Sequence, residues 1–439
     1  MHRLLPALVL LLAPWMAPAA AAAQQPTVPQ GPLTLLEAIK LGQSQGVNAA
    51  IARLGVRTAQ ERVGQRRAAL LPTISGNAAY TRQTLNLDEF GLPIATGVTD
   101  PFDIYRLQLR GSQTVFDASL IGRLRAARDT AVAAGLDARA AGEIAGATAG
   151  LAYLQALSAR ETVRAREADS TIAAELLEQA RQLVGAGVSP AIDQTRSEVS
   201  FAAVRTQLEV ARNAADRASL DLLRAMDLPS GTRLGLADSL GTAALDLPLD
   251  PDSAAAFARE HRAELAAEHA RTEAAHRSLG AIRAEYLPSL GVTGAYQQTG
   301  QHTDALNGTY NVQLQLTVPI LDGFSRQHRV KEQRLRVQVQ EIREHDLVNQ
   351  VETEARQAVL DLGSARQQVA IAGERLRLAE QELAQAQQRF QAGVAGSVET
   401  TNAQSSVIAA RDALIQARVN YGTARVATYR ALGVIDQLH

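Results

Sequence analysis

The chain repeats itself, and the repeat restricts what it can fold into. Leu71-Pro72-Thr73-Ile74-Ser75-Gly76-Asn77-Ala78-Ala79-Tyr80 returns as Leu287-Pro288-Ser289-Leu290-Gly291-Val292-Thr293-Gly294-Ala295-Tyr296, an offset of 216. Leu107-Gln108-Leu109 with Val115-Phe116-Asp117 returns as Val312-Gln313-Leu314 with Ile320-Leu321-Asp322, an offset of 205. Gly187-Val188-Ser189 with Asp193 returns as Gly393-Val394-Ala395 with Glu399, an offset of 206. Three blocks in the same order indicate a tandem duplication and a pseudo-symmetric assembly. Chance likeness between Ala-rich helices would not preserve Pro, Gly, Tyr and Asp at the punctuating positions.

The first residues read as a secretory signal. His2 and Arg3 give a basic start and Leu4 to Trp15 a short apolar run; Ala21-Ala22-Ala23 before Gln24 places cleavage between Ala23 and Gln24. Residues 1–23 are thus expected to be removed, leaving an exported protein. It carries no Cys to lipidate or to pair. Beyond Gln24 no apolar stretch of about 18 residues is present, so no transmembrane helix is expected. Hydrophobic residues are 46% of the chain but aromatics only 4%. That balance suits long helices packed through Ala rather than a thick globular core. The net charge of −1 gives no electrostatic footprint for nucleic acid.

Each copy reads as helix, strand, strand, very long helix, tight turn, helix. The first copy, 24–226, places these at 34–70, 73–82, 103–115, 119–184, 185–189 and 190–226. The second, 251–433, places them at 252–286, 289–298, 309–319, 323–391, 392–396 and 397–432. Residues 227–250, rich in Pro, Gly and Leu, join the halves at the equator, and 434–439 form a C-terminal tail. The first helices should stop at Leu71 and Leu287, because a residue before Pro is driven out of the α region. Ser189-Pro190 reads as a capping hydroxyl followed by Pro at the first helical position; its counterpart starts at Gly396-Ser397.

Heptads in the second long helix set Val348, Ala355, Leu362, Val369, Leu376, Leu383 and Phe390 beside a column of mostly Ala at 351, 358, 365, 372, 379 and 386. The returning helix offers Val407, Leu414 and Tyr421 beside Ala410, Ala417, Ala424 and Ala431. These seams specify antiparallel coiled-coil hairpins of close approach. A 66-residue helix spans about 100 Å at 1.5 Å per residue, so two shorter helices stacked end to end match one long one. The outcome is a tube with a waist.

The strands alternate with period two. Tyr80, Tyr105, Tyr296 and Tyr310 lie at the ends next to the longer loops, as an aromatic girdle would, while the opposite faces carry Arg, Gln and Asn. About 9–11 residues per strand is the span of an outer-membrane strand. Four strands cannot close a barrel, and an open edge cannot face lipid. Two chains give eight strands, a filled barrel; three give twelve, enough for an opening. A pore therefore favours a homotrimer.

No phosphate loop, nucleophile elbow, HExxH motif or Cys cluster is present, so no enzyme activity and no cofactor are expected. His269 and His276, seven apart on one helix, read as a solvated face rather than a metal pair. Asp193 and Glu399 read either as N-terminal carboxylates favoured by the helix dipole or as lumen-lining gate residues.

In this order the Leu-Pro pairs opening the strands, the Gly-centred turns at 185–189 and 392–396, Asp193 and Glu399 after them, and the closing Tyr421…Leu432-Gly433 resemble the TolC-type outer-membrane efflux proteins, the outer-membrane factors. The likeness covers essentially all of the mature chain. It implies a mostly α fold with a small transmembrane β part: a trimeric 12-stranded barrel, four strands per chain, continuous with a long periplasmic α-helical coiled-coil barrel. It also implies a passive exit duct of a tripartite efflux or type I secretion system. The partners would be a periplasmic adaptor (membrane fusion) protein, an inner-membrane pump or ABC transporter, and outer-membrane lipid. By this resemblance Gly185, Gly187, Val188, Ser189, Gly393, Val394, Ala395 and Gly396 would meet the adaptor. The periplasmic aperture would be lined by Asp193, Phe390, Glu399 and Asn402, where Phe390, Ala395 and Asn402 replace the family's constricting Tyr, its Arg partner and its second acid. A periplasmic adaptor, which should carry β-domains flanking one hairpin, and a secreted coiled-coil protein, which should lack the Tyr-ended strands, are the rival readings; an exported hydrolase is more distant.

Overall fold

The structure is a computed structural model describing residues 31–87, 97–241, 250–392, 394 and 396–438. The signal segment with Ala23 and Gln24, and turn residues Gly393 and Ala395, lie outside the described residues.

The first half contains α1 (Leu35–Gln45), α2 (Val47–Ala68), β1 (Thr73–Gln83), β2 (Phe102–Phe116), α3 (Ala118–Gly185) and α4 (Ala191–Ala225). The second contains α5 (Pro251–His261), α6 (Ala263–Ala284), β3 (Ser289–Gly300), β4 (Asn307–Thr317), α7 (Ser325–Gln391) and α8 (Ser397–Ala431), then a 3-10 turn at Ile435–Gln437. Local chemistry sets the starts. Thr34 and Glu37 form a capping box on α1, Asp117 accepts from the Ser119 and Leu120 amides at α3, and Asp250 caps α5 ahead of Pro251.

Several boundaries differ from the sequence expectation. The helices expected over 34–70 and 252–286 are each broken, at Gly46 (ψ 137°) and Arg262 (ψ 117°). These positions are 216 apart, so the break belongs to the duplicated unit. The extended backbone at Arg262 accompanies a buried guanidinium. Its Nε donates to Glu264 (2.7 Å), and its Nη1 lies 3.1 Å from Glu354 and 3.2 Å from the Ala431 carbonyl. β4 ends at Thr317 rather than 319, because Pro319 has no N–H to donate. α7 starts at Ser325 rather than 323, since Gly323 and Phe324 are both left-handed (φ 64° and 65°). Pro190 is itself the N-cap of α4, so Ser189 does not cap it. Residues 434–438 are no free tail: Ile435 and Leu438 are buried in the equatorial core.

The four strands form one antiparallel sheet in the order β1-β2-β3-β4. The helices above the waist follow the same order. α2 packs on α3, α3 on α6 and α6 on α7; below it α4 packs on α3, α3 on α8 and α8 on α7. The wall is one helix thick and small residues set its spacing. A Cβ on Gly42 would stand 2.6 Å from the Ala149 Cβ and 2.7 Å from the Ala145 carbonyl, and one on Gly122 2.7 Å from the Ala281 Cβ. The α7/α8 seam interleaves Leu383 and Ala386 with Ala403, Val407 and Ala410.

Two apolar clusters mark the waist, one around Leu33, Tyr153, Leu157, Leu222 and Met226, the other around Ile39, Val351, Tyr429, Leu432 and Ile435. There the linker joins the wall: Leu33 pairs in parallel with Leu236. The buried Tyr153 hydroxyl lies 2.9 Å from both the Leu33 carbonyl and the Asp238 carboxylate. Burial pushes that phenol well above its ordinary pKa.

Gly42→Val is expected to lift α1 from α3 at a cost of about 1–3 kcal/mol, read as a lower unfolding temperature with new proteolysis between residues 34 and 46. Arg262→Ala removes the knot joining α5, α6, α7 and α8, at a cost of about 2–3 kcal/mol near neutral pH. Burial alone would raise the Glu354 carboxyl, but the Gln350 hydrogen bond and the Arg262 charge outweigh it and hold its pKa below the usual range. The folded pKa is depressed, so this contribution is present above the ordinary carboxylate pKa and is lost as pH falls through the lowered value. The gap between wild type and Arg262→Ala should therefore narrow in acid; a gap independent of pH would assign the effect to packing.

Candidate functional site

The sheet sorts its side chains by face. Ile74, Tyr80, Leu107, Leu109, Val312, Leu314 and Leu316 lie on one face and are exposed in the protomer, Ile74 by 83% and Tyr310 by 82%. Register makes this face continuous: Ala78 stands opposite Leu107, Leu109 opposite Tyr296, and Val292 opposite Leu314. The tyrosines meet as cross-strand pairs. Tyr80 opposes Tyr105 with ring centroids 5.2 Å apart, and Tyr296 opposes Tyr310. Tyr80 donates to Asp103 (2.9 Å), so the belt has an apolar body and a hydrogen-bonded rim. Below it the apolar band continues through Ile320, Leu321 and Phe324. A bulge between Thr114 and Phe116 turns Phe116 toward Leu290 and the same band. The other face carries mostly Ser, Thr, Asn, Gln and Arg, with Phe102 and Ile104 at its loop end. One apolar and one polar face on a four-stranded sheet is the pattern of a barrel wall between lipid and water.

At the opposite end of the chain fold, α3 closes with a Schellman turn. Gly187 is left-handed (φ 74°), its amide bonds the Val184 carbonyl, and the Val188 amide bonds Leu183. The second turn repeats the longer bond, Val394 to Arg389. Val188 and Val394 project from the turns, 61% and 71% exposed.

The four residues expected at the aperture separate into two pairs. Asp193 is 4% exposed and Phe390 2%. Asp193 accepts a hydrogen bond from the Ser397 hydroxyl, which ties the start of α4 to the start of α8. Phe390 packs in the seam beside Leu176, Thr400 and Gln404. Both side chains are enclosed within the protomer. Glu399 and Asn402 are exposed. Glu399 is paired with Arg389 at 3.0 Å, and Asn402 borders a groove of about 420 Å³ between α4 and α8, lined also by Arg196, Val199, Ala203 and Val398.

Farther up the hairpins lies a cluster that local sequence does not signal. Arg166 and Asp169 of α3 meet Arg411 and Asp412 of α8 in one network, with Arg166 and Asp169 2.6 Å apart and Asp169 1% exposed. Such charges are ordinary on long helices; only their juxtaposition across more than 240 residues distinguishes them. His269 faces Glu344 (2.9 Å) and His276 faces Glu341 (3.3 Å), so each histidine serves the α6/α7 contact separately. Among the described residues no group of three or more His, Cys, Asp or Glu is arranged to hold a metal, and no helix is long and apolar enough to cross a membrane.

Comparison with known proteins agrees with this geometry. The sequence profile of the family described as "Outer membrane efflux protein" matches residues 42–227 and 256–434, one segment in each half. Protein CyaE of Bordetella pertussis is 26% identical over 420 residues, covering 92% of this chain and 85% of that protein. The Campylobacter jejuni CmeC outer membrane channel superposes with a TM-score of 0.81 at 16% identity, covering 91% of this chain and 86% of that one. The Neisseria gonorrhoeae MtrE outer membrane channel, solved in its open state, superposes at 0.76 and 19% identity, covering 92% and 90%. The structural likenesses establish the fold, and the profile, spanning most of both repeats, establishes the kinship: this chain belongs to the outer membrane efflux protein family and forms an outer-membrane exit duct.

Proposed function

We propose that three copies of this chain close side by side into one tube, a 12-stranded barrel in the outer membrane continued by a helical barrel in the periplasm. This tube is the passive exit duct for an inner-membrane pump or ABC transporter. The observation that carries the reading is that the protomer's open edges match. Its sheet ends in β1 and β4, and its upper helical layer ends in α2 and α7, the helices joined to those strands. A neighbour's β4 beside β1 runs antiparallel, which continues the pattern around the ring. Both helical edges carry apolar side chains with no cover in the protomer: Ile51 (61% exposed) and Leu54 on α2, Leu335 and Ile342 (69%) on α7. Charge placed there costs a lone protomer within about ±0.5 kcal/mol, but it disrupts an interface. Ile51→Glu with Ile342→Glu should abolish heat-modifiable trimer migration and bilayer conductance. A trimer that survives these changes would sink the assembly.

The exposed valines at 188 and 394, with Val199 and Val398 flanking the α4/α8 groove, make the tip the surface for a periplasmic adaptor's helical hairpin. The aperture is then controlled by two devices. Glu399 faces the passage, Asn402 borders the adaptor groove, and the Asp193–Ser397 bond holds the hairpins of each protomer together from within. Glu399→Gln should change the ion selectivity of the closed channel, and Asp193→Ala should leave that selectivity alone. Asp193→Ala should instead shift the closed-to-open balance by about ten- to a hundredfold, since a hydrogen bond to a charged group contributes about 1.5–3 kcal/mol. Single-channel recording of the two variants separates these roles; equal effects on selectivity would refute the division.

A further inference from the structure

Building on the trimeric-duct reading, we infer that the barrel is an anion-selective exit and that its cargo carries net negative charge. The observation is the charge content of the polar face of the sheet. Among the described residues, the four strands hold four charged side chains: Arg82, Asp103, Arg106 and Arg110. Arg82 and Asp103 share the apolar face beyond the tyrosine belt, 3.8 Å apart. Arg106 and Arg110 lie on the other face, where every remaining residue is neutral. Both are exposed, and neither forms an ion pair among the described residues.

Their surroundings leave them free to reach into the passage. Arg106 is flanked across the ladders by Ala79 and Thr299, and Arg110 by Ser75 and Ala295, all short side chains. Neither guanidinium is covered or neutralised by its neighbours. The two are four positions apart, about 14 Å along an antiparallel strand. Three copies therefore set two tiers of three arginines around the passage with no carboxylate on the same wall. A protein wall of low dielectric concentrates the field of such charges into the lumen and enriches ions of opposite sign. The field reaches about 10 Å at 0.1 M salt and about 30 Å at 0.01 M, so selectivity should be modest at high salt and pronounced at low salt. Guanidinium also pairs bidentately with carboxylate, which favours carboxylate-bearing cargo.

The test is reversal potential under a KCl gradient in planar bilayers, with the intact trimer, wild type against Arg106→Gln/Arg110→Gln. The double variant should lower the chloride-to-potassium permeability ratio by about two- to fivefold near 10 mM salt, with the difference collapsing at 1 M. Polyglutamate added on the extracellular side should block wild-type current more than polylysine does, and the double variant should lose that block. An unchanged ratio at low salt, or stronger block of wild type by polylysine, overturns the proposal. The polymer comparison needs only wild type, so it decides even where the double variant does not assemble. Absence of any wild-type conductance would instead overturn the duct reading on which the proposal rests.

Discussion

Within hydrocarbon every backbone N–H and C=O must be paired, and a four-stranded sheet leaves two edges that are not. Most of this molecule's architecture can be understood from that one constraint. The outer strands, β1 and β4, are continuous with α2 and α7, so whatever completes the sheet also completes the helical layer below it. The order is the same at both levels, and it remains open at both. The unit of stability in the membrane is accordingly larger than the chain, and the apolar side chains left uncovered on α2 and α7 mark where the rest attaches.

A tube wall one helix thick has no interior in which to bury aromatic side chains, so its cohesion comes from close approach. Gly42 against Ala149 and Gly122 against Ala281 bring backbones near enough that an added methyl group collides. The alanine columns of α7 and α8 do the same along the hairpin. Larger side chains gather at the waist, where Tyr153, Met226, Tyr429 and Ile435 fill the space at which short helices meet end to end. Low aromatic content and a well-packed equator thus have one cause: thickness is available only where helix ends converge.

Features written in local chemistry were legible in the sequence. Period-two strands, the heptad seams and the Gly-Val turns depend on residues near one another in the chain, and these gave the element order, the sheet and the hairpins. Features decided by distant partners were not legible. Arg262 breaks a helix although arginine is a good helix former; its guanidinium is satisfied by Glu264, Glu354 and the end of α8. The network of Arg166, Asp169, Arg411 and Asp412 looked like surface charge until α3 and α8 met. The resemblance placed Asp193 and Phe390 by their position along the chain, whereas the burial of both side chains within the protomer is set by rotation about the helix axis. Flanking sequence fixes position along the axis far better than rotation about it.

The two copies diverge where symmetry would be a disadvantage. The partner of Asp193 is the hydroxyl of Ser397, the first residue of α8; the equivalent first residue of α4 is Ala191, which offers nothing to Glu399. Glu399 therefore cannot make the reciprocal contact and turns to Arg389, whose counterpart in the first copy is Leu183. One acidic residue thus becomes an internal tie between hairpins and the other an exposed charge, although both descend from the same position of the repeat. In a ring of three chains this produces alternation. Junctions within a protomer are fastened by a buried hydrogen bond, while Glu399 lies at the surface paired with Arg389. A strictly sixfold ring would fasten all six junctions alike or none. In the proposed ring, the broken symmetry fastens the junctions within protomers by this bond and leaves those between protomers without it.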